Sequence, residues 1–210
     1  MSRYTDYREV ARLSQDAVVA LSRTGDAQER VWAAWALGVR GGQEHRATLR
    51  ESFVHDPDEG VRRHVLIVLV GLGEQETLRQ TVARDGNPYV RATATCLLAR
   101  QTEPTDAVGY DLLVARSIDL SWVVRYAVAD ATRGDAPEAV VRAIAGLLFD
   151  PDELVGARMR ERVESDELPR APFEAALAVL RRAERVTLPQ TNASEPTQAL
   201  LRLRQPLRLL

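Results

Sequence analysis

The chain has 210 residues, of which 45% are apolar and only 5% aromatic, and its 28 basic and 30 acidic residues leave a formal charge of -2. This balance excludes a strong overall positive field for nucleic acid, and the single Cys96 excludes an internal disulfide or a multi-cysteine zinc site. The polar first residues and the short longest apolar run, residues 65–70, predict a protein that is neither exported nor membrane-spanning, and we expect it in the cytoplasm.

Segments with the apolar period of a helix recur along the chain. Residues 1–12 are predicted to form a leading turn or a partial helix. The segments of helical period that follow lie at residues 17–21, 49–53, 78–82, 112–115 and 140–148. Each is followed by a turn that contains an aspartate and then by a second helix-compatible stretch, so the predicted unit is helix, turn, helix.

The second stretch of each unit begins with a recurring window. It contains an apolar or acidic residue, an arginine, two variable residues, an alanine or valine and, four positions further, another apolar residue, which Thr132 replaces in the fourth copy. The arginines are Arg30, Arg62, Arg91 and Arg125, which are 32, 29 and 34 residues apart. A fifth copy has Gly156 in place of the arginine. A unit of roughly 30 residues is one helical hairpin, which must stack on its neighbours to bury its apolar side.

The aspartates of the turns are predicted to cap the second helices. They are Asp26, Asp56, Asp85 and Asp119. Residues 56–59 and 150–153 both read Asp-Pro-Asp-Glu. In this order the first aspartate can accept from the free amides of a helix, proline suits the first helical position, and glutamate stands at the capping-box spacing.

The turn aspartates, the Val-Arg pairs and the small apolar residues after them resemble the HEAT repeat family, in particular its compact bacterial, phycobilisome-lyase-type form. The resemblance covers about residues 13–165 and is strongest around the Val-Arg pairs at 61–62 and 90–91. It implies an all-α fold, a right-handed α-solenoid of about five HEAT-like helical hairpins with capping end helices. It also implies a ladder of Asp and Arg side chains between successive repeats, so that the four window arginines are structural.

Both ends of the chain depart from the repeat. Residues 173–185 predict a closing amphipathic helix, and we assign residues 1–186 to the solenoid. Residues 187–198, with their prolines and small polar residues, are predicted to be a flexible linker. Residues 199–210 are a tail rich in leucine and arginine, which we expect to fold back onto an apolar end of the solenoid rather than to act as a partner peptide or to touch a membrane.

Local signatures of catalysis and of cofactor or metal binding are absent from the sequence. The chain contains no nucleophile elbow, phosphate-binding glycine loop, HExxH helix or cysteine pair, so we predict no catalytic residue and no cofactor. The three histidines, His45, His55 and His64, are ten and nine residues apart, which does not place two of them on adjacent turns of one helical face. We therefore predict no metal site.

The residues that the core pattern leaves over are candidates for partner binding. In HEAT-like families the second helices line the concave face, and Trp, Tyr and Arg at such positions suit protein recognition. The predicted partner-binding residues are Trp32, Trp35, Arg63, His64, Arg100, Tyr126 and Asp130, with Ile67 and Cys96 beside them. The alternative for the two tryptophans is that they fill an irregular first interface of the core.

The sequence therefore predicts a non-catalytic protein-binding scaffold or adaptor whose partner is another protein on the concave face. One alternative is a HEAT-like DNA-binding or repair protein of the alkylpurine DNA glycosylase type, which would use Tyr126 and Asp130, one helical turn apart. No motif of those enzymes matches residue by residue, and the near-neutral charge gives little support for duplex binding. A further alternative, implied only by the lyase-type resemblance, is a chaperone-like role toward a cofactor-bearing protein.

Overall fold

The computed structural model describes residues 3–4, 6–41, 43–174 and 177–178, and every regular element within them is a helix. The α-helices are α1 (Tyr7–Ala11), α2 (Gln15–Thr24), α3 (Ala27–Arg40), α4 (Gln43–His55), α5 (Glu59–Gly71), α6 (Gln75–Arg84), α7 (Pro88–Gln101), α8 (Ala107–Arg116), α9 (Trp122–Ala131), α10 (Glu138–Ile144) and α11 (Glu153–Glu164). Two 3-10 helices lie at Ala145–Phe149 and Ala171–Phe173. The predicted all-α, HEAT-like fold class is confirmed, and α2 to α11 follow one another as five consecutive helix pairs.

The chain forms two compact units that divide between Thr81 and Val82, inside α6. In the part of the chain that the structure describes, no helix is both long enough and apolar enough to cross a lipid bilayer. The predicted linker at residues 187–198 and the tail at residues 199–210 lie outside the described residues, as does most of the predicted closing helix at 173–185.

In the first unit, α3 packs against α1, α2 and α5. The fully buried aliphatic side chains of this core are Val10, Val18, Ala33, Leu37, Leu49, Val65 and Leu69. Gly38 allows α3 to approach α5 closely, because a Cβ atom at this position would clash with the side chain of Val68. Burial of each large aliphatic side chain stabilises the fold by about 1.5–3 kcal/mol relative to exposure, which is enough to hold the helix pairs together.

In the second unit, α9 lies between α7 and α11 and packs against both. The end of α9 is closed by Arg162 of α11, whose side chain is buried. Its guanidinium donates to the backbone carbonyls of Ala129 and Thr132 at 2.8 and 2.6 Å. Carbonyls in the last turn of a helix have no partner within that helix, so Arg162 satisfies groups that would otherwise be buried without a hydrogen bond.

The caps of the second helices agree with the sequence prediction only in the first pair. Asp26 caps α3, where its carboxylate accepts the backbone N–H of Glu29 at 2.9 Å and Glu29 completes a capping box. For Asp56, Asp85 and Asp119 the prediction is wrong, because the N-cap is the residue two positions later. The N-caps of α5, α7, α9 and α11 are Asp58, Asn87, Ser121 and Asp152. The earlier aspartate of each turn instead accepts the backbone N–H of this cap residue, at 2.8–2.9 Å.

Three of the turn aspartates also accept an arginine from the preceding repeat. This arginine is the fourth residue of its second helix, and its Nε and Nη2 atoms each donate to one carboxylate oxygen at 2.6–3.2 Å. The pairs are Arg30–Asp56 in the first unit, and Arg91–Asp119 and Arg125–Asp150 in the second. The Arg–Asp ladder that the HEAT resemblance implies is therefore present in both units.

A third donor ties each ladder arginine to its own turn. The Nη1 atoms of Arg62, Arg91 and Arg125 donate to the backbone carbonyl of the residue six positions earlier, at 2.7–3.1 Å. Arg30 makes the corresponding contact with the carbonyl of Gly25 at 2.9 Å. The guanidinium therefore fixes the turn of its own repeat while it reaches the next one.

The first described repeat lacks the aspartate of the ladder contact, and the last described repeat lacks the arginine. Six residues before Arg30 stands Thr24 rather than an aspartate, and the described residues contain no earlier repeat that would supply an arginine. In the fifth pair Gly156 replaces the arginine, and no further helix pair follows within the described range. Within the described residues, a donor at position 156 would find no carboxylate of a following repeat.

The Arg91–Asp119 pair illustrates the electrostatics of the ladder. Burial raises the pKa of Asp119, but the hydrogen bonds from Arg91 and from the Ser121 N–H outweigh burial and hold that pKa below its ordinary value of 3.8. Arg116 adds a further hydrogen bond at 3.0 Å. For Arg125 the hydrogen bonds to its carboxylate partner raise the pKa. Asp119 is therefore ionised at neutral pH, and loss of this carboxylate leaves the guanidinium of Arg91 in a poorly hydrated site.

Replacement of Asp119 by asparagine is expected to lower the free energy of unfolding by about 3 kcal/mol, because Arg91 then keeps a mostly buried charge without a carboxylate. Urea unfolding followed by circular dichroism measures the change. Asp135→Asn is the matched control, since Asp135 binds Arg133 in an exposed pair whose loss should leave the unfolding midpoint nearly unchanged. Equal losses in the two variants would contradict the structural role of the ladder.

Candidate binding surface on the second helices

The ladder arginines define a common register for the second helices. Positions two, five and nine residues after the arginine lie on one side of the helix, because they are separated by three and four residues. In α3 these positions are Trp32, Trp35 and Val39. Predicted binding residues at equivalent positions of other second helices are His64, Arg100 and Asp130. Five of the seven predicted residues therefore share one register.

In the first unit, α3 presents an apolar stripe that consists of Trp32, Trp35 and Val39. The two tryptophans are half-buried and pack against the core of this unit, whereas Val39 is 77% exposed. The Nε1 atom of Trp35 is buried and has no hydrogen-bond partner within the described structure. Each tryptophan thus packs on the core with part of its side chain and leaves the rest exposed. Core filling and partner binding are therefore both compatible with this position.

His64 lies on α5 at the position equivalent to Trp32. Its Nδ1 atom is 2.8 Å from the carbonyl oxygen of Gly60, and because a carbonyl only accepts, Nδ1 carries the proton and Nε2 is left as an acceptor. Burial lowers the pKa of His64, the bond to Gly60 partly offsets this effect, and the charge of Arg63 lowers the pKa further. The imidazole is therefore neutral at pH 7. Arg63 itself is only 4% exposed.

The second unit contains the other three predicted residues, each in a different environment. Arg100 is exposed near the end of α7. Tyr126 is 7% exposed and packs edge-to-face on Trp122, with 6.5 Å between the ring centroids. Asp130 is partly buried and binds Arg158 of α11 through an Nε–Oδ1 contact of 2.7 Å. Of these three residues, only Arg100 offers most of its side chain to a partner.

The first three helix pairs match a known family. The family model for HEAT repeats matches residues 15–99, from the first residue of α2 to near the end of α7. Residues 15–99 of this chain therefore form HEAT repeats. No curated protein matches it. HEAT repeats are generally protein-interaction scaffolds, and the Arg–Asp contacts of α9 and α11 continue the same repeat beyond the matched residues.

Two residues outside the predicted set also shape the surface of the second helices and their neighbours. Val39 extends the α3 stripe, and its position seven residues after Trp32 was a signal available in the sequence. Arg158 pairs with Asp130 across 28 residues and also binds Glu161 at 2.8 Å. No sequence pattern marks this contact, because it depends on how α11 packs against α9.

The protein is expected to lose stability when the pH falls through the ordinary histidine pKa. The pKa of His64 in the folded state lies below its ordinary value of 6.5, so the unfolded chain takes up the proton first. The stability that neutral His64 contributes is fully present above pH 6.5 and is lost as the pH falls toward the folded-state pKa. His64→Gln should therefore show a smaller drop in Tm than the wild type between about pH 7.5 and about pH 5.5.

Thermal unfolding at the two pH values checks this expectation. His55→Gln is the control, because His55 is exposed, and its drop in Tm should equal that of the wild type. An unchanged drop in His64→Gln would show that His64 makes no such contribution.

Proposed function

We propose that this HEAT-repeat protein is a non-catalytic scaffold or adaptor that binds another protein through the faces of its second helices. The observation that carries the proposal is the α3 stripe of Trp32, Trp35 and Val39. Large aromatic and aliphatic side chains at partly exposed, fixed positions bury much area with little loss of side-chain entropy when a partner covers them. His64, at the equivalent position on α5, adds a hydrogen-bond acceptor.

The stripe is fixed before any partner binds. The Asp26 capping box holds the first turn of α3, and the Arg30–Asp56 pair ties the same turn to the next repeat. Further along, Gly38 lets α3 pack closely on α5. Binding therefore does not require the scaffold to be ordered afresh, which favours affinity for a given contact area.

In the second unit the proposal relies mainly on Arg100. This side chain is exposed, whereas the carboxylate of Asp130 is 25% exposed and is occupied by Arg158. Arg63 and Tyr126 stay in the proposed set, but their burial leaves them to support neighbouring side chains rather than to make broad contacts of their own.

The repair-protein alternative receives less support from the same residues. It requires Tyr126 and Asp130 to meet a nucleotide, yet Tyr126 packs on Trp122 and Asp130 binds Arg158. The formal charge of -2 also provides no overall attraction to phosphate. We therefore favour a protein partner, and we expect it in the cytoplasm, where the buried Cys96 stays reduced.

Val39→Arg is expected to reduce the recovery of partner proteins from an extract of the native host by about tenfold or more, because it places a charge inside an apolar contact. Affinity purification of the tagged chain followed by quantitative mass spectrometry measures this recovery. Val39 is 77% exposed, so the variant should retain the fold, which circular dichroism verifies.

Val54→Arg is the matched control for this experiment. Val54 is 67% exposed and lies on α4, a first helix, so the same substitution there should leave recovery unchanged. Equal recovery by the wild type and both variants would reject the α3 stripe as a binding surface. Binding of damaged duplex DNA at low salt would favour the repair alternative, and a cofactor in the recovered material would favour the chaperone alternative.

A further inference from the structure

The turn between α8 and α9 exposes two large aliphatic side chains. Ile118 is 83% exposed, and Leu120 is fully exposed, at 101% of its reference area. They are the most exposed large hydrophobic residues of the described chain. Asp119, which lies between them in the sequence, is only 8% exposed. The turn therefore buries its charged residue and leaves its apolar residues in water.

The exposed side chains belong to a well-ordered turn. Asp119 accepts hydrogen bonds from Arg91 and from the backbone N–H of Ser121, both at 2.9 Å. Arg125 donates to the backbone carbonyls of Asp119 and Leu120, at 2.8 and 3.2 Å. Because the ladder fixes the backbone in this way, the exposure of Leu120 is a property of the native turn.

The repeat architecture does not require a leucine at position 120. The equivalent positions, five residues before the ladder arginine or its replacement, are Gly25, Pro57, Gly86 and Pro151. Small or cyclic residues thus suffice for this turn. Burial of a leucine side chain would stabilise the fold by roughly 1.5–3 kcal/mol, but Leu120 is exposed and contributes no such stabilisation. An apolar side chain that packing does not use remains available to a partner.

Ile118 and Leu120 line a groove at the ends of α6 and α8, within the second unit, which we call the edge groove. The side chains that line it with them include Ala83, Arg84, Arg91, Ala115 and Arg116. The two alanines leave room for side chains of a ligand, while the two large aliphatic residues supply apolar contact area. Leucine- or phenylalanine-sized groups would suit such a groove.

The edge groove has more basic than acidic side chains. Asp119 is shared by Arg91 and Arg116, so two guanidinium groups face one carboxylate. Arg84 is exposed and has no ion-pair partner among the described residues. With Asp85 as the second acid, three arginines stand against two aspartates along the groove. A carboxylate beside apolar groups is the complementary chemistry.

We infer that the edge groove docks a short segment of a partner protein that carries an acidic residue beside leucine or phenylalanine. The apolar side chains of this segment cover Ile118 and Leu120, and its carboxylate pairs with Arg84. The chain's own residues 199–210 do not meet this charge requirement, since they contain three arginines and no acid. The edge groove shares no residue with the α3 stripe, and its role does not depend on the function proposed for the second helices.

Random dodecapeptides displayed on phage, selected on the full-length chain and counter-selected on Leu120→Asp, test this inference. The recovered peptides should combine an acidic residue with leucine or phenylalanine. Fluorescence anisotropy with labelled synthetic copies should show binding to Arg84→Glu weakened by about tenfold, because the ligand carboxylate then meets a like charge. Circular dichroism verifies that both variants are folded.

Val108→Asp is the matched control, because Val108 is 57% exposed on α8 and does not line the edge groove. It should bind the peptides as the wild type does, and so should Val39→Arg. Recovery of no peptide, recovery of basic peptides, or full binding by Arg84→Glu would overturn the inference. A dimer that Leu120→Asp abolishes in analytical ultracentrifugation would also overturn it, because a second copy of the chain would then occupy the groove.

Discussion

In the turns before α5, α9 and α11, one carboxylate joins two repeats. Asp119 accepts the backbone N–H of Ser121 at the start of its own second helix and the guanidinium of Arg91 from the preceding repeat. Because both contacts use the same side chain, the start of a helix and the register of its neighbour are fixed together. A buried ion pair gains little net free energy once the loss of hydration is subtracted, so the ladder mainly specifies geometry, while the aliphatic core supplies most of the stabilisation.

The fold could be predicted from the sequence because the arginine marks a constant point in a variable repeat. It is the fourth residue of each second helix from α3 to α9, although the arginines are 32, 29 and 34 residues apart, so the variation lies outside the window. The caps follow the same register. Asp26 lies four residues before Arg30, as the cap Asp58 lies four residues before Arg62, whereas the ladder acceptor Asp56 lies six residues before Arg62. The prediction failed for Asp56 because it took the first aspartate of the turn as the cap without counting from the arginine.

The candidate surface was predictable where the helical register decides exposure and unpredictable where tertiary contacts do. Arg63 and Tyr126 each directly follow a ladder arginine, as does the fully buried Ala92. The position after the arginine is therefore a buried one in these three helices. The size and polarity of Arg63 and Tyr126, which suit recognition, had favoured a surface role. The environment of Asp130 could not be predicted at all, because its partner Arg158 is 28 residues away and reaches it only through the packing of α11 on α9.

In a repeat protein the positions that depart from the repeat carry the most information about binding. The ladder positions are alike because each must satisfy the same neighbours. Leu120 differs from its equivalents without any neighbour that requires the difference, and it stands fully exposed on a turn whose backbone is fixed on both sides. Val39 is likewise exposed at a position where α7 has Arg100. Other residues stand at the equivalent positions of other repeats, and this difference is the basis of our proposals that a partner covers Val39 and Leu120.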